Sequence, residues 1–219
     1  MNPSTTLAEL AVTHPAAARV FRRHRLDFCC GGRRPLNEVC QERELDADAI
    51  LAAIAEEDPL VPEHQRWDEA PLPALVEHIA SVYHARLREQ LPALVAMARR
   101  VEVRHADKAS CPRGLAAHLE AMHEAVLEHL QKEEQILFPL IVAGQAGRAG
   151  GPVRAMEVEH EHHGEDLQEV RRLTGDLVAP DEACTTWRAL YLGLQQLEQE
   201  LMEHIHLENN ILFRRALAS

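Results

Sequence analysis

Two stretches of the chain, His129-Leu-Gln-Lys-Glu133-Glu-Gln-Ile-Leu-Phe138 and His204-Ile-His-Leu-Glu208-Asn-Asn-Ile-Leu-Phe213, are copies of one pattern, H-x-x-x-E-x-x-I-L-F. Residues four apart lie one above the other on a helix face, so each copy projects an imidazole and a carboxylate together. One such pair is an ordinary helix-surface feature; two copies in one chain are far more specific. Each copy also has an upstream histidine at nearly the same distance, His84 lying 45 residues before His129 and His160 lying 44 before His204. The candidate set is therefore His84, His129, Glu133, His160, His204 and Glu208.

Around this set the sequence reads as helix. Ala, Leu, Glu, Gln and Arg dominate, β-branched runs are short, and strand-like alternation is absent. Four long segments are expected at about residues 73–103, 112–143, 152–178 and 181–217, with Pro92 kinking the first. The glycine-rich GQAGRAGG at 144–151 is expected to be a loop. Short connections favour antiparallel neighbours, an up-down-up-down bundle. In that topology the six side chains fall roughly 12–21 Å from the same end, at about 1.5 Å of rise per residue.

Residues 1–58 read as a separate small helical domain of short helices, with Asp46 as an N-cap and a turn at Asp27-Phe28-Cys29-Cys30-Gly31-Gly32. Residues 59–72 read as a proline-rich linker, and 73–219 as the bundle. The expected fold class is all-α: a small N-terminal helical domain followed by a four-helix bundle.

The chain has 219 residues, 14 of them histidine, and a formal net charge of -12. Histidine in such excess, beside glutamate, raises the question of metal binding. No basic stripe is present and aromatics are 4%, which argues against nucleic acid. No apolar run approaches the ~20 residues of a membrane span. The N-terminus lacks a basic start followed by an apolar stretch, and five irregularly spaced cysteines make no disulfide framework. A cytoplasmic protein is expected.

Six ligating side chains exceed what one reactive metal needs and suit two, and imidazole with carboxylate suits divalent iron, manganese or zinc. If both glutamates bridge, each metal receives two histidines and two carboxylate oxygens. An oxo or hydroxo bridge would leave about one open position on each, as reactive sites require. A pair of irons suits small diatomic ligands such as O₂ or NO. Tyr83 and Glu159 precede two of the histidines and are candidate partners for ligand N–H groups. Adjacent cysteines make a strained disulfide, so Cys29 and Cys30 are either free thiols that bind iron or relay electrons, or small core residues at a turn.

The Asp27–Gly32 turn, the first repeat ending in Ile-Leu-Phe-Pro, and the second repeat resemble the iron-sulfur cluster repair di-iron proteins. So do His105-Ala-Asp-Lys and Glu182-Ala-Cys-Thr-Thr-Trp187. The resemblance covers nearly the whole chain and departs at Arg214, where the family more often carries Pro. It implies a cysteine-bearing N-terminal domain joined to a hemerythrin-like bundle, whose two non-haem irons are held by the same six residues. It also implies restoration of iron-sulfur clusters damaged by nitric oxide or oxidative stress, by iron donation or by reduction of NO to N₂O. Damaged iron-sulfur proteins and an electron donor would be its partners. The competing expectations are a hemerythrin-like module that binds or senses O₂ or NO, and a metal-free helical scaffold.

Overall fold

A computed structural model describes residues 1–60 and 66–218; positions 61–65 of the expected linker, and Ser219, lie outside the described residues. Four short helices open the chain: α1 (Leu7–Thr13), α2 (Ala17–Arg23), α3 (Leu36–Glu42) and α4 (Ala47–Glu57). Their starts follow from local chemistry. Thr6 and Glu9 form a reciprocal capping box on α1, and the Asp46 carboxylate accepts from the Asp48 and Ala49 N–H groups at the start of α4. Leu7, Leu10, Phe21, Phe28, Leu36 and Ile54 are buried together as the core of this part.

Four long helices follow. Helix α5 comprises Leu72–His78, a π-helical stretch Ile79–His84, and Ala85–Arg104. Helix α6 comprises Leu115–Lys132, a π stretch Glu133–Leu137, and Phe138–Val142. Helix α7 is Ala146–Thr174, and α8 comprises Thr185–His206, a π stretch Leu207–Leu212, and Phe213–Ala218.

Pro92 lies inside α5, which carries on through it. Its side chain is exposed, so the carbonyl that loses a backbone donor can turn to water. The glycine-rich stretch is not a loop: α7 begins at Ala146 and takes in Gly147, Gly150 and Gly151. Each helical glycine costs about 1 kcal/mol relative to alanine. Packing overrides that preference, because Ala149 and Val153 are buried in one apolar cluster with Leu212 and Phe213. The same helix stops at Thr174, earlier than expected, where Gly175 turns left-handed at φ 59°.

The bundle's apolar residues form two clusters. One includes Leu91, Leu119, Trp187 and Leu194; the other includes Leu75, Ile79, Phe138 and Phe213. In all four helices the six candidate residues fall at the level between these clusters. At the opposite end, His105 Nε2 stands 3.2 Å from Cys184 Sγ, and Ser110 Oγ donates to Glu182, joining the end of α5 to the start of α8. That pairing makes the two helices antiparallel.

The small helical part docks on α8. Asn210 Nδ2 donates to the Phe28 carbonyl (3.0 Å), and Asn209 Nδ2 to the Cys29 carbonyl (3.2 Å). The His206 ring meets Phe28 edge-on, Arg22 pairs with Glu203 at 2.6 Å, and Met202 touches both cores.

Candidate metal centre

The bundle brings the six residues together, each no more than 2% exposed. They form two overlapping groups, His84–His204 and His129–His160, each completed by Glu133 and Glu208, with all ligand atoms of a group within 4.8 Å. Within a group the two Nε2 atoms face each other, at 3.2 Å for His84–His204 and 3.1 Å for His129–His160. Two nitrogens bound to one metal at ~2.1 Å and at right angles would be about 3 Å apart.

The carboxylates make the same point. Glu208 Oε1 lies 2.9 Å from His204 Nε2, and Oε2 lies 3.2 Å from His160 Nε2, so its two oxygens divide between the groups. Glu133 Oε2 is 3.4 Å from both His84 Nε2 and His129 Nε2. Yet among the described residues none of the four oxygens has a well-formed hydrogen bond. Nitrogens and oxygens crowd without aiming at one another; they converge on shared points. Buried carboxylate oxygens left unsatisfied are expensive, and cations at those points would satisfy them. The residues present therefore fit a pair of metal ions.

Outside this ring, three histidines have their other nitrogen held. His84 Nδ1 donates to Glu134 (2.8 Å), His129 Nδ1 to Glu159 (2.9 Å), and His160 Nδ1 to Asn209 Oδ1 (2.8 Å). These acceptors fix the tautomer that aims each Nε2 lone pair inward. Arg88 grips Glu134 with both terminal nitrogens, and Lys132 holds Glu159. His204 Nδ1 has no hydrogen-bond partner among the described residues; its ring stacks on Tyr83 at 5.6 Å. Phe138 and Phe213 stack on His84 and His160 and keep water out.

In the metal-free chain, protons balance the charge. Burial opposes a charged His84, but Glu133 and Glu208 outweigh it and push the pKa up to about 10. His160 likewise rises to about 9, against its burial, because Glu208 and Glu133 face it. Burial prevails at His129, which falls to about 4, and at His204, which is also lowered. Burial and the neighbouring Glu208 charge raise Glu133 to about 8. The histidines overcome burial at Glu208 and hold it well below the carboxylate range.

Tyr83 and Glu159 thus both touch a histidine of the set, but differently: Glu159 through a hydrogen bond, Tyr83 through its ring face. Cys29 is buried and Cys30 half-buried, with their sulfurs 3.8 Å apart. Asp27 accepts from the N–H groups of Cys29, Cys30 and Gly31 and shapes the turn. A Cβ at Gly32 would fall 2.4 Å from the Phe28 carbonyl, so the turn requires glycine there. Cys30 Sγ reaches the His160 carbonyl at 3.4 Å.

Sequence reasoning missed Glu134 and Asn209. Each directly follows the glutamate of its own repeat and receives the upstream histidine of that repeat; that shared offset was the available signal. His163, in the polar stretch 159–166, is buried against the His129 ring at 5.0 Å. The π stretches, too, were invisible. They coincide with His84, Glu133 and Glu208, and such one-residue insertions concentrate where a helix must re-aim a side chain at a functional site.

A helical bundle with two buried histidine pairs that share two carboxylates defines a class of cation-binding proteins, and residues 75–216 match the hemerythrin HHE cation binding domain. Residues 3–58 match a domain family of unknown function, DUF542. The chain is 48% identical over 212 residues to the iron-sulfur cluster repair protein YtfE of Yersinia pseudotuberculosis, covering 97% of this chain and 96% of that protein. It is 49% identical over 215 residues to the protein of the same name in Cronobacter sakazakii, with the same coverage. The chain belongs to the hemerythrin HHE family and, within it, to the iron-sulfur cluster repair proteins.

Proposed function

We propose that this chain restores iron-sulfur clusters damaged by nitric oxide or oxidative stress, using two non-haem irons with an oxo or hydroxo bridge. His84, His204, His129 and His160 would be the nitrogen ligands, and Glu133 and Glu208 would be shared between the two irons. The observation that carries this reading is the pair of histidine groups sharing both carboxylates, in a chain so similar to proteins named for cluster repair. Residues 1–58 act as a cysteine-bearing domain, 59–72 as a linker and 73–219 as the metal-binding bundle. Five free cysteines suit a reducing compartment, the cytoplasm.

A pair of ferrous ions, if held by these residues, would supply the two electrons needed to convert two NO and two protons to N₂O and water. The chain's own groups set the conditions for that chemistry. Glu133 and Glu208 neutralise positive charge in a buried space. Glu134, Glu159 and Asn209 hold three imidazoles in register. Phe138 and Phe213 exclude water. The damaged iron-sulfur protein is the partner, and an electron donor must return the irons to the ferrous state.

Anaerobic purification, metal analysis and addition of NO test this reading. Two irons per chain with N₂O formed would support NO reduction. Two irons, no N₂O, and recovery of an NO-damaged iron-sulfur enzyme would support iron donation. Iron without either activity would favour O₂ or NO sensing. Failure to take up iron on reconstitution would sink the metal reading altogether.

A further inference from the structure

A second site lies where the small helical part meets the bundle. A cavity of about 470 Å³ opens there, and none of the six clustered residues lines it. That volume lies in the range of small-molecule sites, roughly 300–1,000 Å³.

The cavity's lining is rich in arginine although the chain is acidic. Arg22, Arg25 and Arg43 face Arg171 and Arg172 of α7; Arg22, Arg171 and Arg172 are held by Glu203, Glu198 and Glu169. Two of these arginines are weakly committed. Arg43 makes one hydrogen bond among the described residues, to the Arg25 carbonyl, and no ion pair. Arg25 reaches Asp176 at 3.2 Å, but both side chains are at least half exposed and the pair is screened by water. Planar guanidinium forks match carboxylates in pairs of hydrogen bonds. Leu167, Met202 and Ile205 give the cavity an apolar wall, and Cys29 and Cys30 place two thiols in it. Carboxylate recognition, a short apolar surface and sulfur therefore meet in one space.

We propose that this cavity binds a small carboxylate-bearing thiol, its carboxylates on Arg25 and Arg43 and its sulfur against Cys30. None of the six clustered residues lines this site, although Cys30 Sγ touches the His160 carbonyl, and its existence does not depend on what the metals do.

The tripeptide thiol glutathione is a suitable probe for the full-length reduced chain. Calorimetric titration should give saturable one-to-one binding, weakened at least about tenfold in the double variant Arg25→Ala/Arg43→Ala by loss of charge-assisted hydrogen bonds. Both arginines are exposed, so the variant should keep its fold, which circular dichroism checks.

A covalent experiment on the unaltered chain needs no variant. Glutathione disulfide reacts when a cysteine thiolate attacks one of its sulfurs: a new S–S bond forms to the protein, the old one breaks, and glutathione thiolate leaves and takes a proton from water. Cys184 is exposed and Cys30 only half so, which by accessibility favours Cys184. Peptide mapping should find Cys30 modified before Cys184 by glutathione disulfide, and Cys184 first by the neutral 2-hydroxyethyl disulfide. The same order with both disulfides, or no saturable glutathione binding at millimolar concentration, would overturn the proposal.

Discussion

The two proposed metal positions share both glutamates and take two histidines each, yet they are braced differently. At the His129–His160 position both outer nitrogens are held, by Glu159 and Asn209. At the His84–His204 position only His84 is held, by Glu134, while His204 rests on the face of Tyr83. A ring gripped at its outer nitrogen is aimed before a metal arrives; a ring that is only stacked must be ordered by the metal itself. Similar ligand sets therefore need not hold metal equally well. The difference also has a direction, since the braced position is the one tied through Asn209 to the Cys29 carbonyl.

The comparison can be broken outright at Glu208, whose oxygens serve both positions. Glu208→Ala is expected to lower iron from about two per chain to nearly none, by elemental analysis; one full iron retained would mean the positions are independent.

Glu159→Ala acts on the braced position alone. Its affinity should fall 10–100-fold, the usual cost of losing a ligand's outer partner. In the unaltered protein a chelator should remove iron in two phases of one equivalent each. In Glu159→Ala those phases should converge. A single phase before substitution would show that bracing does not distinguish the positions.

Protons sharpen the comparison further, because each position pairs one histidine raised by carboxylates with one lowered by burial. His84 and His160, at about 10 and 9, carry protons at pH 7 in the metal-free chain, whereas His129, at about 4, does not. Glu133, raised by burial and by the Glu208 charge, titrates together with them. Metal must displace these protons, so affinity rises with pH and levels off as pH passes the folded-state values. Loading at pH 7 should release about two protons per chain, those of His84 and His160, read by pH-stat. Release near zero would mean that the carboxylates do not protonate the facing histidines.

The smallest effect is expected from Tyr83→Phe. The ring face, not the hydroxyl, meets His204, so iron affinity at the looser position should stay within about twofold by competition with a chelator. A larger loss would show that the hydroxyl matters.

The sequence made part of this legible. The repeat and its upstream histidines led to the six residues that the bundle gathers, because an i, i+4 pattern survives any detail of packing. The π stretches left no trace, since an extra residue in a turn does not alter the spacing of His129 and Glu133. The start of α7 was misread because local propensity favours a break at four glycines, while Ala149 and Val153 find burial that only the folded bundle supplies. Glu134 and Asn209 do the same work with different side chains, so a search by residue type separates them. The arginine-lined cavity draws on residues 22, 25, 43, 171 and 172, which no window along the chain brings together.

The pairing of the repeats bears on ancestry and on design. Helices α5 and α6 form one hairpin and α7 and α8 another, and each contributes two histidines and one glutamate in the same order. Either hairpin, associating with a second copy of itself about a twofold axis, would assemble a set of identical composition. Joining the halves in one chain releases them from that identity. Tyr83 on one side can answer Glu159 on the other, and Glu134 can answer Asn209. Asymmetry between the metal positions is thus a freedom that a symmetric dimer of hairpins could not have.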